Sequence, residues 1–396
     1  MIETDYIYTL QAHILRFVCR VETPIRLHAH KGSALRGAWA EALMSRTCPQ
    51  PWVCRDRGCI LPHGCAIAVL VGPANEGSVR GRDVPRPYVI EPPLDSHTEY
   101  APGDTLEWRM VLFGRAVEWF PYVVVAVKTM GERGIGVGAG GQPEPPARAK
   151  MPTDPTVGTR ANMDRDRSGY RGDRGGDIGR GQMMNRGRGQ FSLREIWEVN
   201  PLSGLQQRLY TGEHNRVLAP AAPLTHEQVV QAAKALPADR ITLHFRTPLR
   251  LGQDVYETGG ERRLVHEAPP FHTLVHRLDG RLRDLTTFYG HHLIPVEHAG
   301  GNEGREGRWP ALNMDLARAV SVQGHMEWLD LHRYSSRKER RLPMGGLVGR
   351  ATYTGDLGPF LPLLVWGQFT HVGKYAVMGN GWYEIDISAD TGTAST

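Results

Sequence analysis

Lysine is scarce in this chain: of 47 basic residues only six are lysine, at positions 31, 128, 150, 234, 338 and 374, and the other 41 are arginine. Long apolar runs are missing, and none approaches the length that crosses a membrane. The opening "MIETDYIYTLQ" has neither the basic start nor the apolar centre of a secretory signal. A cytoplasmic address without a membrane partner is therefore expected. Cysteine is sparse, five in 396 residues, and disulfides are disfavoured in that compartment. An acidic excess is absent too, the formal charge being +5. Arginine grips phosphate as a bidentate fork and stacks on bases, so its dominance suits a nucleic-acid partner. A GC-rich genome, which favours arginine codons, would produce the same bias.

Repetition is what the chain does have. "ETPIRL" (22–27) returns as "RTPLRL" (246–251), "GRGQFSL" (187–193) as "GNGWYEI" (379–385), and "FPYVVVAVKTMG" (120–131) as "LPLLVWGQFTHVG" (361–373) with one residue of slippage. Three echoes in one order indicate two copies of one unit. Both "TPxRL" copies follow an alternating run, Leu15, Phe17, Cys19 and Val21 in the first, Ile241, Leu243 and Phe245 in the second, which is strand periodicity. The first copy is predicted as strand 10–21, helix 33–45, strands 86–91 and 104–113, helix 119–130 and strand 190–199. The second is predicted as strand 240–246, helix 271–288, strands 319–333 and 347–354, helix 360–371 and strand 382–387. Each reads βαββαβ. The expected fold is α+β: two tandem ferredoxin-like domains, residues 1–200 and 237–396, joined by a linker at 201–236.

Two segments interrupt the first copy. Between 46 and 66, "CPQPWVCRDRGCILPHGC" holds Cys48, Cys54, Cys59 and Cys65 with five, four and five residues between them. Four thiolates can complete a tetrahedral zinc shell, with His63 as a substitute ligand. Two disulfides or unpaired thiols are the alternatives, and Cys19, in mid-strand, reads as core. The second interruption, 132–190, ends in a stretch with eight glycines and five arginines between Ser168 and Gln190. That composition buries too little to offset ordering entropy, and disorder is expected.

For nucleic acid, "VGKYAVMGNG" (372–381) sets Gly373, Gly379 and Gly381 around Lys374, and glycine lets backbone amides approach phosphate. "RYSSRKERRL" (333–342) crowds Arg337, Lys338, Arg340 and Arg341 onto one hairpin, which suits a phosphate track. Glycines that only make turns and a solvated basic turn are the plainer readings.

The tail "GGLVGRATYTGDLGPFLPLLVWGQFTHVGKYAVMGNGWYEI", together with "LRGAWAEAL" (35–43) and "FHTLVHRLDGRLRDLTTFYG" (271–290), resembles the CRISPR-associated endoribonucleases that process precursor CRISPR RNA, members of the repeat-associated mysterious protein superfamily. The resemblance covers most of the chain outside the insertion. It implies two ferredoxin-like domains that bind a CRISPR repeat RNA and cut it without a catalytic metal, leaving 2′,3′-cyclic phosphate and 5′-hydroxyl ends. Such chemistry needs a base, a cation for the phosphorane and an acid, and histidine suits the acid and base roles. His30, then His28, both just before the first helix beside Lys31 and Arg36, and then His371, at the end of the last helix, are the candidates. A non-catalytic RNA-binding subunit of a CRISPR effector complex is the alternative, and it leaves room for other effector subunits as partners.

Overall fold

The computed structural model describes residues 10–48, 65–72, 84–137, 187–253, 263–264, 267–290, 312–335 and 340–386. Its first sheet follows from alternation. β1 (Ala12–Val21) turns Leu15, Phe17, Cys19 and Val21 into one core, which leaves Arg16 and Arg20 on the opposite face. After it come α1 (Gly32–Thr47), the short α2 (Ala66–Leu70), β2 (Tyr88–Glu91), β3 (Thr105–Phe113), α3 (Phe120–Arg133), β4 (Phe191–Asn200) and β5 (Leu205–Thr211). The strands lie in the order β2-β3-β1-β4-β5, all antiparallel. α1 buries Leu35, Trp39, Ala42 and Leu43, a spacing that puts all four on one helical face. Trp39 meets Tyr88 edge-on at 5.0 Å, and Phe17 stacks on Trp108 at 4.4 Å.

The second half contains α4 (His226–Lys234), β6 (Arg240–Leu249), α5 (Phe271–Tyr289), α6 (Met314–Ala319), β7 (Ser321–Leu329), β8 (His332–Ser335), β9 (Arg340–Pro343), β10 (Gly346–Thr354), α7 (Leu361–Thr370) and β11 (Tyr383–Asp386). Its sheet runs β7-β10-β6-β11, again antiparallel, and β8 pairs with β9 as a separate hairpin. The architecture is thus mixed helix and strand on antiparallel sheets, in the ferredoxin-like manner. Counted by position within each half, both sheets place their strands second, third, first, fourth. The halves share a core: Val89, Val111 and Phe113 of the first sheet join Leu249 of β6, Leu251 just beyond it and Phe369 of α7 in one cluster. At Gly114 a Cβ would lie 1.7 Å from the Tyr289 carbonyl oxygen, so only glycine admits this contact.

The echoes have one structural cause. Thr23 Oγ1 accepts from the Gln190 amide at 2.7 Å, and Thr247 Oγ1 accepts from the Trp382 amide at 2.9 Å. In return the Gln190 carbonyl takes the amides of Glu22 and Thr23, and the Trp382 carbonyl those of Arg246 and Thr247. "TPxRL" and "GxGx" are therefore the two sides of one clasp that ties the first strand of each half to the approach of its last.

Several expectations need correction. Residues 201–236, read as a linker, carry β5, which widens the first sheet, and α4, which is closed by a capping box between Thr225 and Gln228. The strand expected over 319–333 is the end of α6, capped by Asn313, then β7 and β8. The helix echo was also misaligned. α3 is four residues longer than α7, so Gly136, and not Gly131, corresponds to Gly373: the amide of Ile135 bonds to Gly189 O as that of Val372 bonds to Gly381 O. Of the glycine- and arginine-rich insertion, residues 138–186 lie outside the described residues. Its last four residues, Gly187 to Gln190, belong instead to the first clasp, with Ile135 and Gly189 exchanging two backbone hydrogen bonds. Among the described residues no helix is long and apolar enough to cross a membrane.

Candidate nucleic-acid interface

Three segments meet between the halves: residues 28–31 leading into α1, residues 91–95 leaving β2, and the loop 371–382. Glycine permits the meeting. A Cβ on Gly32 would fall 1.9 Å from Met378 O, and one on Gly379 would fall 2.7 Å from Ile90 O. His30 sits in this junction, partly buried, its Nε2 enclosed without a hydrogen-bond partner. Burial pulls its pKa down to about 4, so the ring is neutral at physiological pH. His28 is exposed on the same segment. Lys31, expected to meet RNA, is fully buried, and its ammonium donates to the Asp95 carbonyl at 2.8 Å and to Asp95 Oδ1 at 3.2 Å. Its charge is spent inside the protein, because a buried ammonium needs such partners. Arg36, in the first turns of α1, keeps a buried Nε without a partner.

His371 lies deeper. It is completely buried, parallel to Trp382 at 5.8 Å, with Nε2 3.7 Å from Glu91 Oε1, beyond hydrogen-bonding reach. Burial lowers its pKa, partly offset by Glu91. Burial acts the other way on Glu91, but Arg109 at 2.5 Å, with His371, outweighs it and holds the carboxyl below its usual range. Arg109 also lies 5.0 Å over the Trp382 ring. A buried carboxylate and a partly exposed guanidinium thus form the ion pair, and the imidazole beside them is neutral.

The glycine loop differs from the expected phosphate cradle. The amides of Gly379 and Gly381 bond to Ala376 O at 2.9 Å and Pro248 O at 3.0 Å, and both residues are buried. Gly373 turns the chain at φ +86°, and Lys374 alone of this group is exposed. Arg333, at the base of the β8–β9 hairpin, lies 5.9 Å over Tyr375, which brings hairpin and loop together. Arg341 is exposed in β9; Arg340 opens that strand, and Arg337 and Lys338 lie outside the described residues. Of the proposed zinc ligands, Cys48 and Cys65 are described, and Cys65 Sγ caps α2 by accepting from the Ala68 amide at 3.3 Å. Cys54, Cys59 and His63 lie outside. Cys19 is core, its thiol pushed up to about 12 by burial.

One feature escaped the sequence reading. On the face of the first sheet turned away from α1 and α3, Glu91, Arg109, Arg16, Trp197 and Arg208 stand directly opposite one another across all five strands. Only the pairing register, which no single strand encodes, lines them up.

A family model described as CRISPR-associated endoribonuclease Cas6 matches residues 243–383, and another, described as an N-terminal domain, matches residues 10–144. No curated protein matches the chain by sequence. Among solved structures, a "Partial Cas6-RT-Cas1--Cas2 complex" and a "Cas6-RT-Cas1--Cas2 complex" are each similar at a TM-score of 0.52 and 12% identity over 96% of this chain. The chain spans 47% and 29% of those two chains, so it is less than half their length. These likenesses speak to the fold.

Proposed function

We propose that this chain, whose residues 243–383 match the model of the CRISPR-associated endoribonuclease Cas6 family, cuts precursor CRISPR RNA within the repeats without a catalytic metal. The products would carry a 2′,3′-cyclic phosphate and a 5′-hydroxyl. The observation that carries this reading is His30: a neutral imidazole whose Nε2 has no internal partner, held where both halves of the chain meet. A neutral ring can accept the proton of the attacking 2′-hydroxyl. Arg36 supplies a guanidinium with an unpartnered Nε to answer phosphorane charge, and Lys374, Arg341 and the rest of the hairpin supply phosphate contacts. His28, exposed beside it, is the second candidate. His371, sealed behind Trp382, is the third. Lys31 serves by fixing Asp95 and the entry to α1.

Incubation with repeat RNA in excess chelator tests this. Wild type should cleave, a 2′-deoxy residue at the cut should block it, and His30→Ala should slow single-turnover cleavage by roughly a hundred- to ten-thousand-fold with affinity unchanged. His28→Ala and His371→Ala provide the comparison. Binding without cleavage of any repeat would favour the non-catalytic effector subunit. The complexes named in the similar structures support further CRISPR subunits as partners of this chain. Structural zinc on Cys48, Cys54, Cys59 and Cys65 belongs to the same proposal, and one zinc per chain by metal analysis is its measure.

A further inference from the structure

The segment 91–100, between β2 and β3, runs beside the entry to α1 and is anchored along its length. Glu91 and Tyr100 are buried at its two ends. Pro92 packs on the glycine loop so closely that a Cβ on Gly379 would meet its Cδ at 2.6 Å. Asp95 Oδ1 accepts from the Lys31 ammonium at 3.2 Å and from the Tyr100 hydroxyl at 3.3 Å. Ile25 and Arg26 pair in antiparallel register with Tyr100 and Glu99, Arg26 Nε lies 2.9 Å from Glu99 Oε1, and the Leu27 amide donates to Thr98 O at 2.7 Å. The same register carried one residue further sets His28 opposite His97 and His30 on the diagonal from it. Lys31 and Asp95 hold the two segments together at that end.

His97 is open to a substrate, its side chain 77% exposed, yet it is not a free-swinging group. Its amide donates to Asp95 Oδ1 at 2.9 Å, and its Nδ1 lies 3.6 Å from the same oxygen, which leaves Nε2 as the nitrogen directed away from the carboxylate. We propose that His97 is the general acid of the cleavage, giving the Nε2 proton to the departing 5′-oxygen. This rests on the reading of the chain as a repeat-RNA nuclease, in which His30 serves as base and Arg36 answers the phosphorane charge, but no group serves the leaving oxygen. His30 takes the proton of the 2′-hydroxyl and the 2′-oxygen bonds to phosphorus. The bond from phosphorus to the 5′-oxygen breaks with its electron pair on that oxygen, and the proton from His97 completes the 5′-hydroxyl. In-line displacement keeps entering and leaving oxygens on opposite sides of phosphorus, so base and acid must flank the phosphate. Diagonal neighbours across an antiparallel pair stand about 7–8 Å apart, room for a phosphodiester between them, whereas directly opposed residues such as His28 and His97 stand about 4.5–5.5 Å apart. The pairing therefore joins His97 with His30 rather than with His28.

The test is single-turnover cleavage by the full chain in excess chelator, with two repeat RNAs. One is ordinary; the other carries sulfur in place of the bridging 5′-oxygen at the mapped cut. A thiol ionises at about pH 8.5, far more readily than an alcohol, so the thiolate departs without a donated proton. His97→Ala should cut the ordinary RNA roughly a hundred- to ten-thousand-fold more slowly at unchanged affinity, and should cut the sulfur RNA as fast as wild type does. His30→Ala should be slow on both, because the 2′-hydroxyl still needs its base. Equal slowing of His97→Ala on both RNAs would reduce His97 to a residue that shapes the 95–97 turn and would overturn the proposal. A wild-type rate of His97→Ala on the ordinary RNA overturns it too, and leaves the nuclease reading standing. A wild type that cuts neither RNA removes the nuclease reading and the acid with it.

Discussion

His371 holds in the second half of the molecule the backbone position that Gly134 holds in the first. Each ends the last helix of its half, α7 at φ +58°, ψ +169° for His371 and α3 at φ +81°, ψ +160° for Gly134, and each is followed by a residue whose amide bonds to the second glycine of the clasp. That region is almost reserved for glycine, and another residue there costs about 1–3 kcal/mol. The side chain offsets the strain by filling the space between Trp382 and Glu91. His371→Gly and His371→Ala both remove the ring, so they differ only in backbone freedom. The glycine variant should be the more stable by about 1–3 kcal/mol in urea unfolding. An alanine variant equal to it would show that the position is unstrained.

Acid should loosen this junction. His30 and His371 have folded pKa values below the ordinary 6.5 because both are buried. Between those values and 6.5 the unfolded chain binds more protons than the folded one, so stability falls as pH drops. For His30 the loss runs from about 6.5 down to about 4. Glu91, whose folded pKa is depressed below 4.5 despite its burial, contributes stability above that value that is lost as pH falls further. Urea midpoints measured at pH 7.5 and pH 5 should therefore converge in His30→Gln relative to wild type. The same drop in both proteins would mean that His30 titrates normally.

Local pattern made the strands and helices legible, and the echoes gave the two-copy order. Leu15, Phe17 and Cys19 alternate as a half-buried strand should, and Gly134 ends its helix as glycine does. What stayed hidden depends on contacts between distant segments. Lys31 and Gly379 look like ligand-facing residues until Ile90 of β2 and Asp95 of the segment leaving it bury them. His30 was legible as a candidate from its place before α1, but its neutral state follows from burial that only the packed halves produce. β5 escaped notice because Leu205 and its neighbours are largely exposed on a sheet edge, and its two buried residues, Leu209 and Tyr210, are adjacent and do not alternate.

Removing Gln142 through Asn185 should leave the fold intact. The flanks are already joined by the two hydrogen bonds between Ile135 and Gly189, and Arg188 pairs with Glu41 at 3.2 Å. Loop length itself has a small effect, about 0.6 kcal/mol per doubling, so the unfolding midpoint should move little. Loss of the cooperative transition in the shortened chain would show that the insertion contributes to a core.

The two clasps should respond very differently to the same substitution. Thr247 Oγ1 accepts from the Trp382 amide at 2.9 Å and donates to Gly379 O at 2.6 Å, both inside the seam between the halves. Thr23 Oγ1 accepts from Gln190 at the surface. Valine keeps the shape and removes the hydroxyl. In Thr247→Val a buried donor and a buried acceptor lose their partner, each worth about 1–3 kcal/mol when left unmade, so a loss of about 2 kcal/mol or more is expected. In Thr23→Val water can take over, and the change should stay within about 0.5 kcal/mol. Thr247→Ser should recover most of the difference, because the hydroxyl returns. If serine proves no better than valine, the clasp acts through packing of the methyl group, and the hydrogen bonds to Trp382 and Gly379 are not what ties the loop to β6.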